Sequence, residues 1–342
     1  MSDLFRSIAG NKLPPSFPLP PPRHGRVPQN LEPSPWNLCF DNHSFVDIPR
    51  GSFSVYSSQR HDNSVPTVLF LHGASYSALS FALLTRYLSP YLNVVAYDQR
   101  CHGLTKAEIN FELDCLVADC EAIIEELKLE KVLLVGHSMG AAVASKVAIR
   151  DKIELYGIVV IDVCGNTALQ SLVFMKDLLE TRPKHFDNFT KFVEFCLLSK
   201  ISKNLDSLKF SAQDWVMNKN GIPASQTDDR TNLTWITPLE QSEDCWAGWF
   251  ETLSSDFVDA PTHARLLILA NQDTMDRDMI IAHMSGQLQL EIIHNVGHSI
   301  HEDNPKKIAE ILLGFTIHHR YIDSSLVARD RFNNILLDDS LQ

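Results

Sequence analysis

The sequence predicts an α/β fold: a mostly parallel, doubly wound sheet with an inserted helical cap. Short, wholly apolar runs recur along the chain with helical patterns between them, as in a parallel sheet covered on both faces. Between Asp162 and Leu266 that alternation stops, and no convincing sheet strand is found there. Midway, an apolar run passes through Gly136-His137-Ser138-Met139-Gly140 into a small-residue helix pattern. Strand, G-x-S-x-G, helix is the context in which that pentapeptide makes a sharp turn with an exposed nucleophile.

The elements follow in order. Residues 1–35 hold nine of the chain's 17 prolines and little apolar periodicity, so they read as a flexible, PPII-like leader, with order beginning near Trp36. Phe53-Ser54-Val55-Tyr56 alternates like a half-exposed antiparallel strand. The run at 68–71 is a buried strand closing at His72-Gly73, and a helix pattern follows at 77–89. The run at 94–97 is the next strand and closes at Asp98. An amphipathic helix is expected over 110–129, then the strand at 132–135 and the G-x-S-x-G turn. The run at 158–161 ends at Asp162. The inserted cap covers about 165–262, with helical patterns at 169–182 and 186–199, a polar stretch at 217–234, and Trp246 and Trp249. Strands at 266–269 and 290–293 end at Asn271-Gln272-Asp273 and Gly297-His298. The last helix starts near Pro305, with Asp303 or Asn304 as its N-cap. The main domain thus spans 36–321, and 322–342 reads as a flexible acidic tail.

Composition narrows the function. With 342 residues, 44% hydrophobic and 21% charged, the chain is long enough for one large domain with an insertion. A formal net charge of −12 argues against a nucleic-acid partner. No apolar run reaches the length of a membrane span, and the N-terminus lacks an apolar core before a cleavage site. Seven cysteines with no C-x-x-C pair read as reduced thiols and predict a cytoplasmic or nuclear protein. Neither a metal nor another cofactor is expected.

The chemistry follows from Ser138. A serine hydroxyl is a weak nucleophile until a base takes its proton. In this architecture the chain order is Ser, then Asp or Glu, then His. The base should therefore lie just after the final strand, where His298 follows Gly297, with His301 as a supporting residue. Two acids fit by spacing: Asp273 after the second-last strand, and Asp162 after the strand next to the turn. An oxyanion hole needs two backbone N–H groups, expected from Met139 and from Ala74, with Ser75 next. Asp98 and Arg100 are expected to hold loops beside the site.

From about Pro33 to Tyr321 the chain carries Ser34-Pro35-Trp36, LFLHGASYSALSF, AYDQRCHGLTK, VGHSMGAAVA, IDVCGNTAL, ETRPKHF, DCWAGWFETLS, ANQDTMDRD, HMSGQLQ and VGHSIHEDNP. In these segments it resembles the protein phosphatase methylesterases, a family of α/β-hydrolase fold. The resemblance implies a serine esterase that removes the methyl ester from the C-terminal leucine of the protein phosphatase 2A catalytic subunit. It also implies that the aspartate of the I-D-V motif, Asp162 rather than Asp273, completes the triad with Ser138 and His298. The methyl group offers almost no binding energy, so specificity must come from the protein partner. The cap and the segment around Met284 are candidates for that surface, while simple helix packing is the alternative for Met284. Two other readings are a serine hydrolase of a small ester or lipid, and a protein that holds and inhibits a phosphatase on a hydrolase fold.

Overall fold

The computed structural model describes residues 31–60, 64–262, 264–325 and 327. The expected leader over 1–30 and the end of the expected tail lie outside the described residues. In chain order the first elements are β1 (Asn42–Ile48), β2 (Gly51–Ser58), β3 (Thr67–Leu71), α1 (Ala82–Leu88), β4 (Asn93–Tyr97), the short β5 (Lys106–Ala107), α2 (Leu113–Glu126), β6 (Val132–His137), α3 (Met139–Arg150) and β7 (Leu155–Ile161). The segment leaving the sheet holds α4 (Gly165–Thr181), β8 (His185–Asn188), α5 (Phe189–Leu198), α6 (Leu205–Ser211), β9 (Val216–Met217), β10 (Thr231–Trp235), α7 (Trp246–Phe250) and α8 (Leu253–Asp259). The chain then completes the sheet with β11 (Arg265–Leu269), α9 (Arg277–Met284), β12 (Gln289–Ile292), α10 (Ile300–Asp303) and α11 (Pro305–His318).

The main sheet runs β1-β2-β4-β3-β6-β7-β11-β12, with β5 paired to β2. Pairs from β4 through β12 are parallel, and β1 and β2 add an antiparallel edge. Every residue of β3, β4 and β6 is buried, which is why these strands read as unbroken apolar runs. Leu69, Leu71, Val95 and Leu134 face one core with α2, α3 and α8. Val68, Phe70, Val94 and Val135 face the other with α1 and α11. Successive strand residues alternate between the two, as the pleat requires. Among the described residues, no helix is long and apolar enough to cross a membrane.

The structure differs from expectation at three places. The antiparallel strand around Phe53–Tyr56 is buried, not half-exposed, because β1 and β4 flank it. β1 itself escaped notice, since only its last three residues carry an apolar alternation. The segment between β7 and β11 is not purely helical. It holds a small antiparallel sheet, β8-β10-β9, whose two-residue and four-residue partners are too short to leave a periodic signal. A separate cap core forms around Phe189, Phe192, Val193, Trp215 and Leu233. Trp246, Trp249 and Phe257 instead join the core of the main sheet.

Residues 31–35, expected to belong to the leader, run along the cap. Leu31 is buried and its N–H donates to Thr190 Oγ1 (2.9 Å). Ser34 N–H donates to the Lys209 carbonyl (2.8 Å), and the Ser34 carbonyl accepts from Gln213 Nε2 (2.8 Å). Glu32 pairs with Arg230. Asparagine side chains cap three helices: Asn188 for α5, Asn204 for α6 and Asn304 for α11, where Pro305 is the first helical residue.

Candidate active site

The site lies at the carboxyl ends of the parallel strands. β6 delivers Ser138 in a strained turn, with φ 52° and ψ −117°. The turn requires close contact with its neighbour: a Cβ on Gly140 would collide with the Leu71 carbonyl at the end of β3. Ser138 precedes α3, whose first residue is the fully buried Met139. The first N–H groups of a helix have no partner within it, and the helix dipole favours negative charge there. The loop after β3 leans onto the same turn, since a Cβ on Gly73 would lie 3.2 Å from Ser138 Cβ. Ala74 is half-buried in that loop. The Ser75 N–H donates instead to His102 Nε2 (2.9 Å). That bond occupies the Ser75 amide and leaves the Ala74 amide as the oxyanion donor expected from this loop.

β7 ends at Asp162, which also has a positive φ of 56°. The Asp162 N–H donates to the Ile268 carbonyl (2.8 Å), and Asp162 Oδ1 accepts from the Ala270 N–H (2.9 Å). Its second oxygen, Oδ2, is 2.9 Å from His298 Nδ1. Donation from Nδ1–H to this carboxylate leaves Nε2 with its lone pair, the form a general base needs. His298 retains some exposure, whereas Asp162 is nearly enclosed. Asp273 occupies a different setting. It is exposed, in a short turn after β11, and its N–H donates to Asn271 Oδ1 (3.1 Å). The helix cap at that place is Asp276, which accepts from the Met279 N–H and, through Oδ2, from Ser254 Oγ and the Asn166 N–H.

Four further histidines line the underside of the site, all buried: His72, His102, His137 and His301. Burial pushes His72 and His137 well below the ordinary imidazole range, His102 down to about 4 and His301 to about 3. They are therefore neutral spacers at physiological pH. His301, the expected supporting residue, stacks on Phe81 with ring centroids 4.5 Å apart and lies 4.6 Å from the His137 ring. His137 donates through Nε2 to the His298 carbonyl (3.0 Å). That contact escaped sequence reading because His137 occupies the variable position of G-x-S-x-G, where spacing says nothing about the side chain.

The two expected loop-holders also find partners. Asp98 accepts from the Ala78 N–H (2.8 Å) and the Leu104 N–H (3.0 Å). Arg100 makes a bidentate pair with Asp119 (2.7 and 2.8 Å) and donates to the Glu108 and Arg50 carbonyls. Met284, at the end of α9, is 82% exposed, which removes helix packing as its explanation. Ile280 and Ile281 are exposed on the same helix.

The family model for the α/β hydrolase family matches residues 68–311. Protein phosphatase methylesterase 1 of rat is 30% identical, covering 86% of this chain and 87% of the relative. The human protein of the same name gives the same identity and coverage. The chain belongs to the protein phosphatase methylesterase family. A Caenorhabditis elegans family member, named a probable protein phosphatase methylesterase 1, is 30% identical over 93% of this chain and 86% of its own. Among solved structures, E-2-(acetamidomethylene)succinate hydrolase superposes with a TM-score of 0.68 at 18% identity, over 80% of this chain and 98% of that one. At such identity the likeness speaks for the shared fold alone. This family member is a serine ester hydrolase.

Proposed function

We propose that the chain demethylates the catalytic subunit of protein phosphatase 2A, cleaving the methyl ester on its C-terminal leucine. Ser138 Oγ attacks the ester carbonyl while His298 Nε2 takes its proton. Asp162 holds the imidazole and stabilises its charged form. The Met139 and Ala74 N–H groups stabilise the oxyanion. His298 returns the proton to the leaving methoxide, methanol departs, and water hydrolyses the acyl-enzyme by the same route. The observation that carries this reading is the bond from His298 Nδ1 to Asp162, which orients the imidazole at the same end of the sheet as a strained serine. The relatives' names support a phosphatase as substrate. The exposed apolar residues of α9, Met284 among them, support a protein-sized one.

The test measures methanol release from the methylated phosphatase subunit. Ser138→Ala should lower turnover by about 1,000-fold or more while the protein stays folded. Wild-type protein that releases no methanol from that substrate, yet is labelled at Ser138 by a fluorophosphonate, would point to a small-ester hydrolase. Absence of labelling in folded wild-type protein would favour a binding scaffold.

A further inference from the structure

The backbone around His298 is held on both sides by the cap, and one carboxylate makes the central tie. The Gly297 N–H donates to Asp303 Oδ2 (2.6 Å). The other oxygen, Asp303 Oδ1, accepts from the Lys203 N–H (2.6 Å) and from Ser202 Oγ (3.1 Å). Ser202 and Lys203 sit in the loop between α5 and α6. Two further contacts join the same strips of chain. Ser299 Oγ donates to the Ile201 carbonyl (2.8 Å) and lies 2.6 Å from the Tyr76 hydroxyl. The Glu302 carbonyl accepts from Asn204 Nδ2 (2.9 Å) and Ser207 Oγ (2.7 Å).

Residues 201–207 and 297–303 are thus bolted together, with His298 near one end. Asp303 does what a neutral side chain cannot. Three donors from two separate loops converge on its two oxygens, and a carboxylate has acceptor capacity for all of them. An asparagine would offer one accepting oxygen and turn an NH2 group toward an N–H. The His298 ring is anchored to β7 through Asp162, and its backbone is anchored to the cap through Asp303.

Resting on the active-site reading above, we propose that Asp303 is a positioning residue for His298: by accepting amides from the base loop and the cap loop together, it makes the distance from His298 to Ser138 depend on where the cap sits. A displacement of about 1 Å in such a contact can cost about 100-fold in rate.

The test uses the full chain with Asp303→Asn, Ser202→Ala and the double variant. Readouts are kcat and KM on p-nitrophenyl acetate, the rate of fluorophosphonate labelling, and Tm. Asp303→Asn should lower kcat and the labelling rate by about 10- to 100-fold, with KM changed less than about threefold. Ser202→Ala, which removes one of three donors, should lower kcat by about two- to fivefold. The double variant should match Asp303→Asn alone, because both changes cut the same link. A folded Asp303→Asn protein labelled at the wild-type rate would overturn the proposal, as would losses that simply multiply in the double variant. Should Asp303→Asn not fold, Ser202→Ala decides: reduced kcat at unchanged KM supports the link, and wild-type kcat ends it. Failure to label Ser138 in wild-type protein is a separate result and removes the underlying active-site reading.

Discussion

At the scale of single residues, the geometry assigns different jobs to chemically identical groups. Asp162 and Asp273 both follow strands at the same end of the sheet, but only Asp162 is 2.9 Å from His298 Nδ1. Asp162→Asn should therefore cut kcat by roughly 10,000-fold, because an amide stabilises the wrong imidazole tautomer. Asp273→Asn should leave kcat within about twofold, since an exposed turn residue is being changed; steady-state rates of both variants on p-nitrophenyl acetate make the comparison. His137 has the opposite character: it is neutral, buried and bonded to the His298 carbonyl. His137→Phe keeps the ring and loses the donor, so kcat should fall by about 10-fold with KM little changed. His137→Gln, which restores an N–H, should recover part of the loss. Wild-type kcat in His137→Phe would mean that the ring and not the donor is what matters.

At the scale of elements, legibility in the sequence tracked burial. The runs at 68–71, 94–97, 132–135, 158–161 and 266–269 were visible because a strand covered on both faces must be apolar throughout. β1, β8, β9 and β10 were not visible, being short, exposed or at an edge, where composition is free to vary. Ser138 and His298 were legible because chain order and a glycine-framed turn restrict where they can lie. The choice of acid was not settled by spacing, since both aspartates end neighbouring strands and only side-chain direction separates them. Nor were His137 and Asp303 legible, because the His298 carbonyl that His137 meets and the Ser202–Lys203 loop that Asp303 meets lie far away in sequence. The Arg100–Asp119 pair belongs to this scale too, pinning the loop after β4 to α2. Both partners are almost fully enclosed. Asp119→Ala leaves the guanidinium with only carbonyl acceptors and should cost about 3 kcal/mol or more, read as a lower urea midpoint.

For the whole molecule, buried titratable groups shape stability against pH from two directions. His72, His102, His137 and His301 stay neutral in the fold but take protons below about 6.5 once unfolded. Stability present above pH 6.5 is therefore lost as pH falls toward 3 to 4. Burial holds Asp98 up at about 6, Asp214 at about 7 and Glu302 at about 8. These groups keep protons that the unfolded chain has released, so their contribution is complete below about 4 and lost as pH rises through 6 to 8. Four histidines outweigh three acids below about pH 6, so the net slope there stays gently positive and the maximum is expected near pH 6.5, with losses on either side. Urea midpoints measured from pH 4 to 8 should trace that shape. In Glu302→Gln the alkaline decline should be shallower by up to about 1.4 kcal/mol per pH unit. The segment at 31–35 also acts on the molecule as a whole. It fastens the cap at Thr190, Lys209, Gln213 and Arg230, far along the chain from the two sheet strands where the insertion begins and ends. An appendage moored at a third point cannot swing about its two roots without tearing that mooring. The position of the insertion is thereby coupled to a strip of chain that precedes the first sheet strand.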